Sequence, residues 1–138
     1  MFYCDSSALT KLLKPERDSQ ELVQLFEGNA SLIGSALLRT ELVRAMNRYL
    51  PQYAAGIYRV LERVDLIPVD AGVLDAAGRM SPPSLRSLDA IHLASALTIR
   101  EELEAFVAYD VRLLEAASAL GLPVASPGLD WAPSPGLS

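Results

Sequence analysis

The chain has 138 residues, of which 51 % are hydrophobic and 21 % are charged, and its formal net charge is −5. This length and balance are typical of one globular domain with a real core. The negative charge argues against a protein that grips nucleic acid by bulk positive charge, and no apolar run is long enough to span a bilayer. The single cysteine, Cys4, excludes an internal disulfide, and the start lacks the basic segment of a secretory signal. We therefore expect a cytoplasmic protein with no membrane partner.

The first half of the chain alternates short apolar runs with helical patterns. Its first run leads into a helix that Ser6 or Ser7 can cap and that ends before Pro15. Ser35 is the predicted cap of a long helix that ends near Leu50. In chain order the predicted elements are strand 2–5, a helix up to residue 14, helix 19–27, strand 31–35, helix 36–50, helix 53–64, strand 65–70 and helix 71–80.

The second half begins after the helix-breaking stretch SPPS at residues 81–84. From Ser84 or Ser87 a helix runs to about residue 99, and it is apolar nearly all round, which predicts burial. The remaining predicted elements are strand 104–110, helix 111–120 closed by a glycine, and edge strand 123–126. We assign residues 1–127 to one domain and residues 128–138, rich in Pro, Gly and Ser, to a tail that Trp131 pins.

Strands that alternate with helices predict an α/β fold with a parallel sheet covered on both faces. In such sheets, functional sites lie outside the carboxyl ends of the strands. Asp5 and Asp110 each fall at such an end, as the last residues of two predicted strands. For each of them there are two interpretations: the carboxylate supports the local structure, or it takes part in the chemistry of a site.

Four acidic residues have apolar neighbours instead of belonging to charge runs: Asp5, Glu41, Asp89 and Asp110. Each has a purely structural alternative. Asp5 and Asp110 can be helix N-caps, and Glu41 can pair with Arg44 on the same helix. Asp89 lies in the first turn of its helix, where a negative charge suits the helix dipole. That helix is otherwise apolar, however, so the charge of Asp89 needs a partner.

Taken together, the four carboxylates predict a cation site. Two like charges about 4 Å apart repel by roughly 4 kcal/mol at an effective dielectric constant near 20, so such a cluster persists only if protons or cations neutralise it. With one histidine and no cysteine pair, the chain lacks the ligands of a typical zinc site. An all-oxygen donor set suits Mg²⁺ or Mn²⁺, which orient water and stabilise charge on a phosphodiester under attack.

Four stretches of the chain resemble the PIN-domain ribonucleases, and most closely the VapC-type toxins of bacterial toxin–antitoxin pairs. These stretches are FYCDSSALTKLL, SALLRTELVRAM, LRSLDAIHLASAL and VAYDVRLLEAASALGL. The resemblance extends to about Pro127. It implies a three-layer α/β/α sandwich with a central parallel sheet of four to five strands, in which four acids surround Mg²⁺ or Mn²⁺. Those acids are Asp5, Glu41, Asp89 and Asp110.

The same resemblance implies an activity, which is endonucleolytic cleavage of RNA by metal-activated water. Asp5, Glu41 and Asp89 would hold the metal, and Asp110 would hold a second ion or a water on the metal. Ser7, or alternatively Ser6, fills the place of a serine or threonine that the family has after its first acid. Arg112 would contact phosphate, so we count Ser7 and Arg112 as substrate-binding. The resemblance further implies a cognate antitoxin that blocks the cleft, and a homodimer.

Several other residues invite a chemical interpretation that we do not favour. His92 could be a general base, but in a buried helix we expect it to pack or to form hydrogen bonds. Cys4 is expected to be a small buried hydrophobe and not a nucleophile. Tyr49, Tyr53 and Tyr58 have a helical spacing that favours core or dimer packing over stacking on bases.

Two other α/β classes fit the sequence poorly. A phospho-accepting receiver domain needs adjacent acids after its first strand and a late lysine, whereas Lys11 and Lys14 are both early. A phosphatase of the haloacid dehalogenase type needs an aspartate two residues after the first, where Ser7 stands. The alternative that we retain is a non-catalytic PIN fold that binds RNA or protein.

Overall fold

The computed structural model describes residues 1–133. Its centre is a sheet of five parallel strands in the order β3-β2-β1-β4-β5. The strands are β1 (Phe2–Cys4), β2 (Leu32–Ser35), β3 (Val64–Ile67), β4 (Ala105–Val107) and β5 (Val124–Ala125). The predicted parallel α/β sheet is therefore confirmed, with five strands. β3 ends at Ile67 because Pro68 has no amide proton to donate to the ladder.

Seven α-helices connect and cover the strands in the described part of the chain. They are α1 (Ser6–Leu13), α2 (Ser19–Leu25), α3 (Leu38–Tyr49), α4 (Ile57–Glu62), α5 (Ala71–Gly78), α6 (Ser87–Leu97) and α7 (Val111–Ala119). The helix predicted over residues 53–64 is wrong in its first half. A 3₁₀ turn occupies Pro51–Gly56 instead, with the proline at its first position, where a missing amide proton costs nothing.

The helices form two layers, one on each face of the sheet. Successive side chains of a strand point to opposite faces. Cys4 of β1 is accordingly fully buried in the cluster that includes α1, α2 and α3, as predicted for a small hydrophobe. Tyr3 points to the other face, where its ring stacks on Phe106 at 5.0 Å and joins the cluster of α6 and α7. The expected three-layer sandwich is thus confirmed.

Helix α6 is the most enclosed helix of the second layer. Six of its residues are buried: Ala90, His92, Leu93, Ala94, Ser95 and Ala96. Helix α5 packs on it through Val73 and Ala77. The prediction that this helix is buried is therefore confirmed, and of the two predicted starts, Ser84 and Ser87, the structure has Ser87. Its buried position explains its apolar composition.

The tyrosines of the first layer divide into two groups. Tyr53 is half-buried against the first cluster, as predicted for core packing. Tyr49 and Tyr58 are 66 % and 64 % exposed, so core packing is wrong for these two. Both side chains lie at the surface of the α3–α4 region.

The predicted tail is described only in part. Trp131 packs, half-buried, against the second cluster, as predicted. Residues 134–138 lie outside the described residues. None of the helices within residues 1–133 combines the length and the apolar character needed to cross a membrane.

The sheet topology creates a crevice beside β1. The helix that follows β1 packs on one face of the sheet, and the helix that follows β4 packs on the other. At such a switch point the two connections diverge and leave an opening at the carboxyl ends of the strands. Asp5 and Asp110 follow β1 and β4, and the main-chain N–H of Asp5 donates to the carbonyl of Val107 at 3.3 Å.

Candidate active site

Asp5 lies at the carboxyl end of β1 and is both a helix cap and part of a cleft. Its Oδ1 accepts hydrogen bonds from the N–H of Ala8 at 3.0 Å and from the hydroxyl of Ser7 at 2.6 Å. The predicted caps Ser6 and Ser7 are therefore wrong, because Asp5 itself occupies the N-cap of α1. Burial raises the pKa of Asp5 to about 6, even though the hydrogen bonds from Ser7 and Ala8 lower it. This carboxylate thus sits in a place that disfavours negative charge unless a cation is near.

Ser7 connects the ends of the two central strands. Its hydroxyl donates to Asp5 and accepts from the main-chain N–H of Tyr109 at 2.9 Å. Tyr109 follows β4, so one side chain links the two segments that carry Asp5 and Asp110. The hydroxyl proton of Ser7 is committed to Asp5, and this residue orients the first carboxylate.

Asp110 repeats the arrangement of Asp5 at the end of β4. Its Oδ1 accepts from the N–H of Leu113 at 3.1 Å and caps α7. Its Oδ2 lies 3.5 Å from Nη2 of Arg86. For both aspartates the capping role is confirmed, and because capping engages one oxygen and leaves the side chain on the cleft wall, it does not preclude a chemical role.

Asp89 has the partner that its apolar surroundings required. Its Oδ2 lies 3.5 Å from Nε of Arg86, three residues earlier. Burial raises the pKa of Asp89, the charge of Arg86 lowers it and the charge of Asp110 raises it, with a net upward shift. Arg86 thus stands between two carboxylates while its own side chain remains 73 % exposed.

Glu41 points from α3 towards α6. Its Oε1 accepts from Nε2 of His92 at 2.6 Å, so the predicted pair with Arg44 is wrong. Arg44 is exposed, and no ion pair within residues 1–133 joins it to Glu41, whose carboxylate contacts the imidazole of His92 instead. The second-layer helix α6 therefore determines where this carboxylate lies.

His92 is the middle member of a buried hydrogen-bonded row that runs from Tyr3 to Glu41. Its Nδ1 lies 2.7 Å from the hydroxyl of Tyr3, and its ring is only 2 % exposed. Burial lowers the pKa of His92, but the hydrogen bond to Glu41 and the charges of Glu41, Asp5 and Asp89 raise it above its ordinary value. The expectation of a hydrogen-bonding role is confirmed, and that role is to hold Glu41 in position.

All four predicted carboxylates line one cleft of about 390 Å³. The other residues of its wall are Ser6, Ser7, Arg86, Ser87 and Leu88. Within residues 1–133, no three acidic, histidine or cysteine side chains are close enough together to hold one ion as they stand. Each carboxylate instead contacts a donor of the protein. The structure therefore brings the four carboxylates to one cleft, but among residues 1–133 it does not arrange three of them to coordinate one ion.

The chemistry of the donor set nevertheless fits a hard divalent cation. Among the described residues, no hydrogen bond or ion pair engages Asp5 Oδ2, Glu41 Oε2 or Asp89 Oδ1. Oxygen ligands of this type are the ones that Mg²⁺ and Mn²⁺ prefer. The raised pKa values of Asp5 and Asp89 indicate unfavourable negative charge in the cleft, which a bound cation would relieve.

The amino-acid sequence matches a known domain family and several named proteins over most of its length. The PIN domain matches residues 2–119, which include all four carboxylates. The chain belongs to the PIN-domain family. It is 42 % identical over 134 residues to Ribonuclease VapC47 of Mycobacterium tuberculosis (strain CDC 1551 / Oshkosh), covering 93 % of this chain and 98 % of that protein. It is 39 % identical to Ribonuclease VapC46 of strain ATCC 25618 / H37Rv, covering 91 % and 96 %.

Solved structures show the same fold at low sequence identity. The toxin VapC20 of Mycobacterium tuberculosis, which cleaves the sarcin–ricin loop, superposes with a TM-score of 0.72 and 17 % identity over 92 % of this chain and all of that one. A chain of VapBC2 from Rickettsia felis, solved with a promoter DNA fragment, gives 0.68 and 13 % over 92 % and 99 %. The PIN fold of this protein is thus shown by sequence and by structure.

Of two arginines beside the site in this PIN domain, one lies away from its expected place and the other was not expected there. Arg112, expected at the substrate, is not on the wall of the acidic cleft but in a neighbouring cleft of about 550 Å³. Arg86, which the sequence analysis did not single out, lines both clefts. Its spacing of three from Asp89 was a usable signal for that pair. Its contact with Asp110 depends on tertiary structure alone.

Proposed function

We propose that this PIN domain is a Mg²⁺- or Mn²⁺-dependent endoribonuclease that acts as the toxin of a toxin–antitoxin pair. The observation that carries the proposal is the meeting of Asp5, Glu41, Asp89 and Asp110 around one cleft. It occurs in a chain that is 42 % identical, over almost its whole length, to a protein named as a VapC ribonuclease. RNA as substrate also agrees with the cytoplasmic location expected from the sequence.

Asp5, Glu41 and Asp89 are the proposed ligands of the ion, and Asp110 is the fourth carboxylate beside them. A divalent ion held there would activate water and stabilise negative charge on the phosphate. The protein contributes by orienting the carboxylates: Ser7 fixes Asp5, and His92 fixes Glu41. Such hydrogen bonds behind the ligands keep them in one geometry and tune their basicity.

Arg86 gives the cleft a cation of its own. At 3.5 Å from both Asp89 and Asp110, its guanidinium offsets part of their repulsion when no ion is bound. Because its side chain is largely exposed, it can leave the carboxylates at little cost. A guanidinium at the mouth of the cleft then suits the phosphate of an arriving RNA strand.

The proposed partners are a cognate antitoxin and a second copy of this chain. Structures with the same fold include toxin–antitoxin complexes from Klebsiella pneumoniae and Rickettsia felis. An acidic cleft attracts a basic side chain of an inhibitor by charge complementarity. The exposed rings of Tyr49 and Tyr58 support a dimer surface on the α3–α4 side.

The decisive experiment is RNA cleavage with Mn²⁺, with Mg²⁺ and with EDTA. We expect wild-type cleavage to need the metal, and Asp5→Asn and Asp89→Asn to reduce it at least about 100-fold, since a catalytic metal supplies several kcal/mol of transition-state stabilisation. Asp75→Asn, on the exposed side of α5, is the matched control and should cleave like the wild type.

Two results would overturn the proposal. Cleavage that survives EDTA and both substitutions would show that the carboxylates hold no catalytic ion. Metal binding without cleavage of any RNA would instead support a non-catalytic PIN module that binds RNA or protein.

A further inference from the structure

A second cleft, of about 550 Å³, lies directly beside the acidic one, between the segment that leads into α6 and the face of α7. We call it the α6–α7 cleft. Arg86 and Asp89 line both clefts, so the two clefts share a wall. Its volume falls in the usual range of small-ligand pockets, roughly 300–1,000 Å³. Nothing in the proposed metal chemistry uses it.

The walls of the α6–α7 cleft combine charge with apolar surface. Arg112 of α7 is exposed, and no salt bridge among residues 1–133 includes it. Leu85 and Ala116 add apolar surface to the wall. Glu115, one turn after Arg112, is the opposing charge on the same helix. The side chain best suited to an anion is therefore a guanidinium without a committed partner, set beside apolar groups.

We infer that the α6–α7 cleft binds the nucleotide adjacent to the scissile phosphate of the RNA strand. This inference rests on the proposed function. A strand whose phosphate enters the acidic cleft must continue past it, and the shared wall at Arg86 leads into the α6–α7 cleft. There Arg112 meets the next phosphate, because a planar guanidinium matches phosphate oxygens in a bidentate manner. Leu85 and Ala116 contact the ribose or the base.

An RNA strand matches both parts of this wall, because its phosphate is an anion for Arg112 and its ribose and base offer apolar surface to Leu85 and Ala116. A nucleotide separates its charge from its apolar surface, as this wall does. The guanidinium of Arg112, which no salt bridge among residues 1–133 includes, predicts one phosphate contact and not a polyanion bound along a basic surface.

The test compares three exposed-residue variants with the wild type. Arg112→Gln removes the proposed phosphate contact, and Glu115→Gln removes the charge that opposes it. Arg59→Gln is the control, because Arg59 is exposed on α4 in the other layer of the sandwich. The measurements are KM and kcat for a single-stranded RNA that the wild type cleaves, and the affinity for the same RNA by fluorescence anisotropy in EDTA at several salt concentrations.

For Arg112→Gln we expect KM and the dissociation constant to rise about tenfold, with kcat little changed, since a hydrogen-bonded charge is lost in both the ground and transition states. The slope of log affinity against log salt should fall by about 0.7, the value for one phosphate of a single strand. Glu115→Gln should change affinity in the opposite direction by roughly twofold to threefold.

A further variant separates shape from charge. Ala116→Phe fills the cleft without altering its charge and should raise KM as well, while thermal unfolding verifies that the variant folds. If Arg112→Gln, Glu115→Gln and Ala116→Phe all behave like Arg59→Gln while the wild type cleaves RNA, the α6–α7 cleft is not a nucleotide site. If the wild type neither binds nor cleaves RNA, it is the proposed function itself that fails. Altered inhibition by an antitoxin alone would assign the cleft to that partner and overturn the inference.

Discussion

The hydroxyl of Ser7 forms two hydrogen bonds: it donates to the carboxylate of Asp5 and accepts from the main-chain N–H of Tyr109. We expect Ser7→Ala to lower the free energy of unfolding by about 1–2 kcal/mol, because it leaves a partly buried N–H without its acceptor. It should also raise the pKa of Asp5 further, since the hydroxyl favours the charged carboxylate. Urea denaturation followed by circular dichroism measures the first effect.

Ser6→Ala is the matched control for that prediction. Ser6 is the neighbouring, half-buried residue on α1, and its contribution to the hydrogen bonds of the site is its carbonyl oxygen, which Thr10 uses and which alanine retains. Equal losses of stability in the two variants would contradict the role of Ser7 as the link between β1 and β4.

Arg86 competes with metal for the same two carboxylates. We expect Arg86→Gln to tighten Mn²⁺ binding severalfold, because two exposed ion pairs of about 0.2–1 kcal/mol each no longer oppose it. Isothermal titration calorimetry gives the affinity directly. Arg112→Gln, which changes a guanidinium outside the acidic cleft, should leave Mn²⁺ affinity unchanged. Weaker binding in Arg86→Gln would mean that the guanidinium organises the ligands and does not compete for them.

At the residue scale, the sequence predicted which residues line the cleft better than it predicted which side chains they contact. The four carboxylates were found from their apolar neighbours, and all four reach the cleft. The pair of Glu41 with Arg44 was a local expectation, and it failed because α6 offers a buried imidazole at 2.6 Å. A buried donor wins over an exposed one because the surrounding dielectric is lower.

At the element scale, β2 must lie very close to β1 for the site to form. A Cβ at Gly34 would come 2.5 Å from Leu38 Cδ1 and 2.9 Å from the carbonyl oxygen of Cys4. Cys4 is the last residue of β1 and precedes Asp5. We expect Gly34→Ala to lower the free energy of unfolding by about 1–3 kcal/mol, because the backbone oxygen cannot move away without shifting β1.

Gly78→Ala is the matched control. A Cβ at Gly78, in the last turn of α5, meets nothing within 4 Å. Alanine there should raise stability by up to about 1 kcal/mol, since glycine is the poorer helix former. Thermal unfolding of both variants distinguishes the cases, and a Gly34→Ala protein as stable as the wild type would show that β1 and β2 can separate.

The helix caps illustrate what could be read at the element scale. The sequence predicted the strand-to-helix transitions at Asp5 and at Asp110. It allowed each of these aspartates to be a helix cap or a functional group. The structure confirms both caps, and because each cap uses only one carboxylate oxygen, a functional role of the other oxygen stays a prediction. The continuous helix over residues 53–64 was wrong, since local periodicity does not reveal a 3₁₀ turn at Pro51–Gly56.

At the scale of the whole molecule, a bound ion should stabilise the fold. If Mn²⁺ binds only the folded chain, unfolding costs about 2.7 kcal/mol more at an ion concentration 100 times its dissociation constant. For a domain of this size, we expect Tm to rise by several degrees. Differential scanning calorimetry with and without Mn²⁺ measures the shift.

The variant Asp5→Asn should abolish this stabilisation, and Asp75→Asn should retain it. Because the readout is stability, the result does not depend on finding an RNA substrate. An unchanged shift in Asp5→Asn would place the cation elsewhere on the molecule, and the acidic cleft would lose its proposed role.

By itself the sequence determined the alternation of strands and helices, the burial of α6 and the four acidic residues that line the cleft. It could do so because these properties depend on local periodicity, on helix and strand propensities and on which charges have apolar neighbours. The strand order β3-β2-β1-β4-β5, the contact of His92 with Glu41 and the contact of Arg86 with Asp110 were decided only by tertiary structure. Those features join residues that are far apart along the chain, and such contacts leave no local pattern because they form only when the sheet brings its strand ends together.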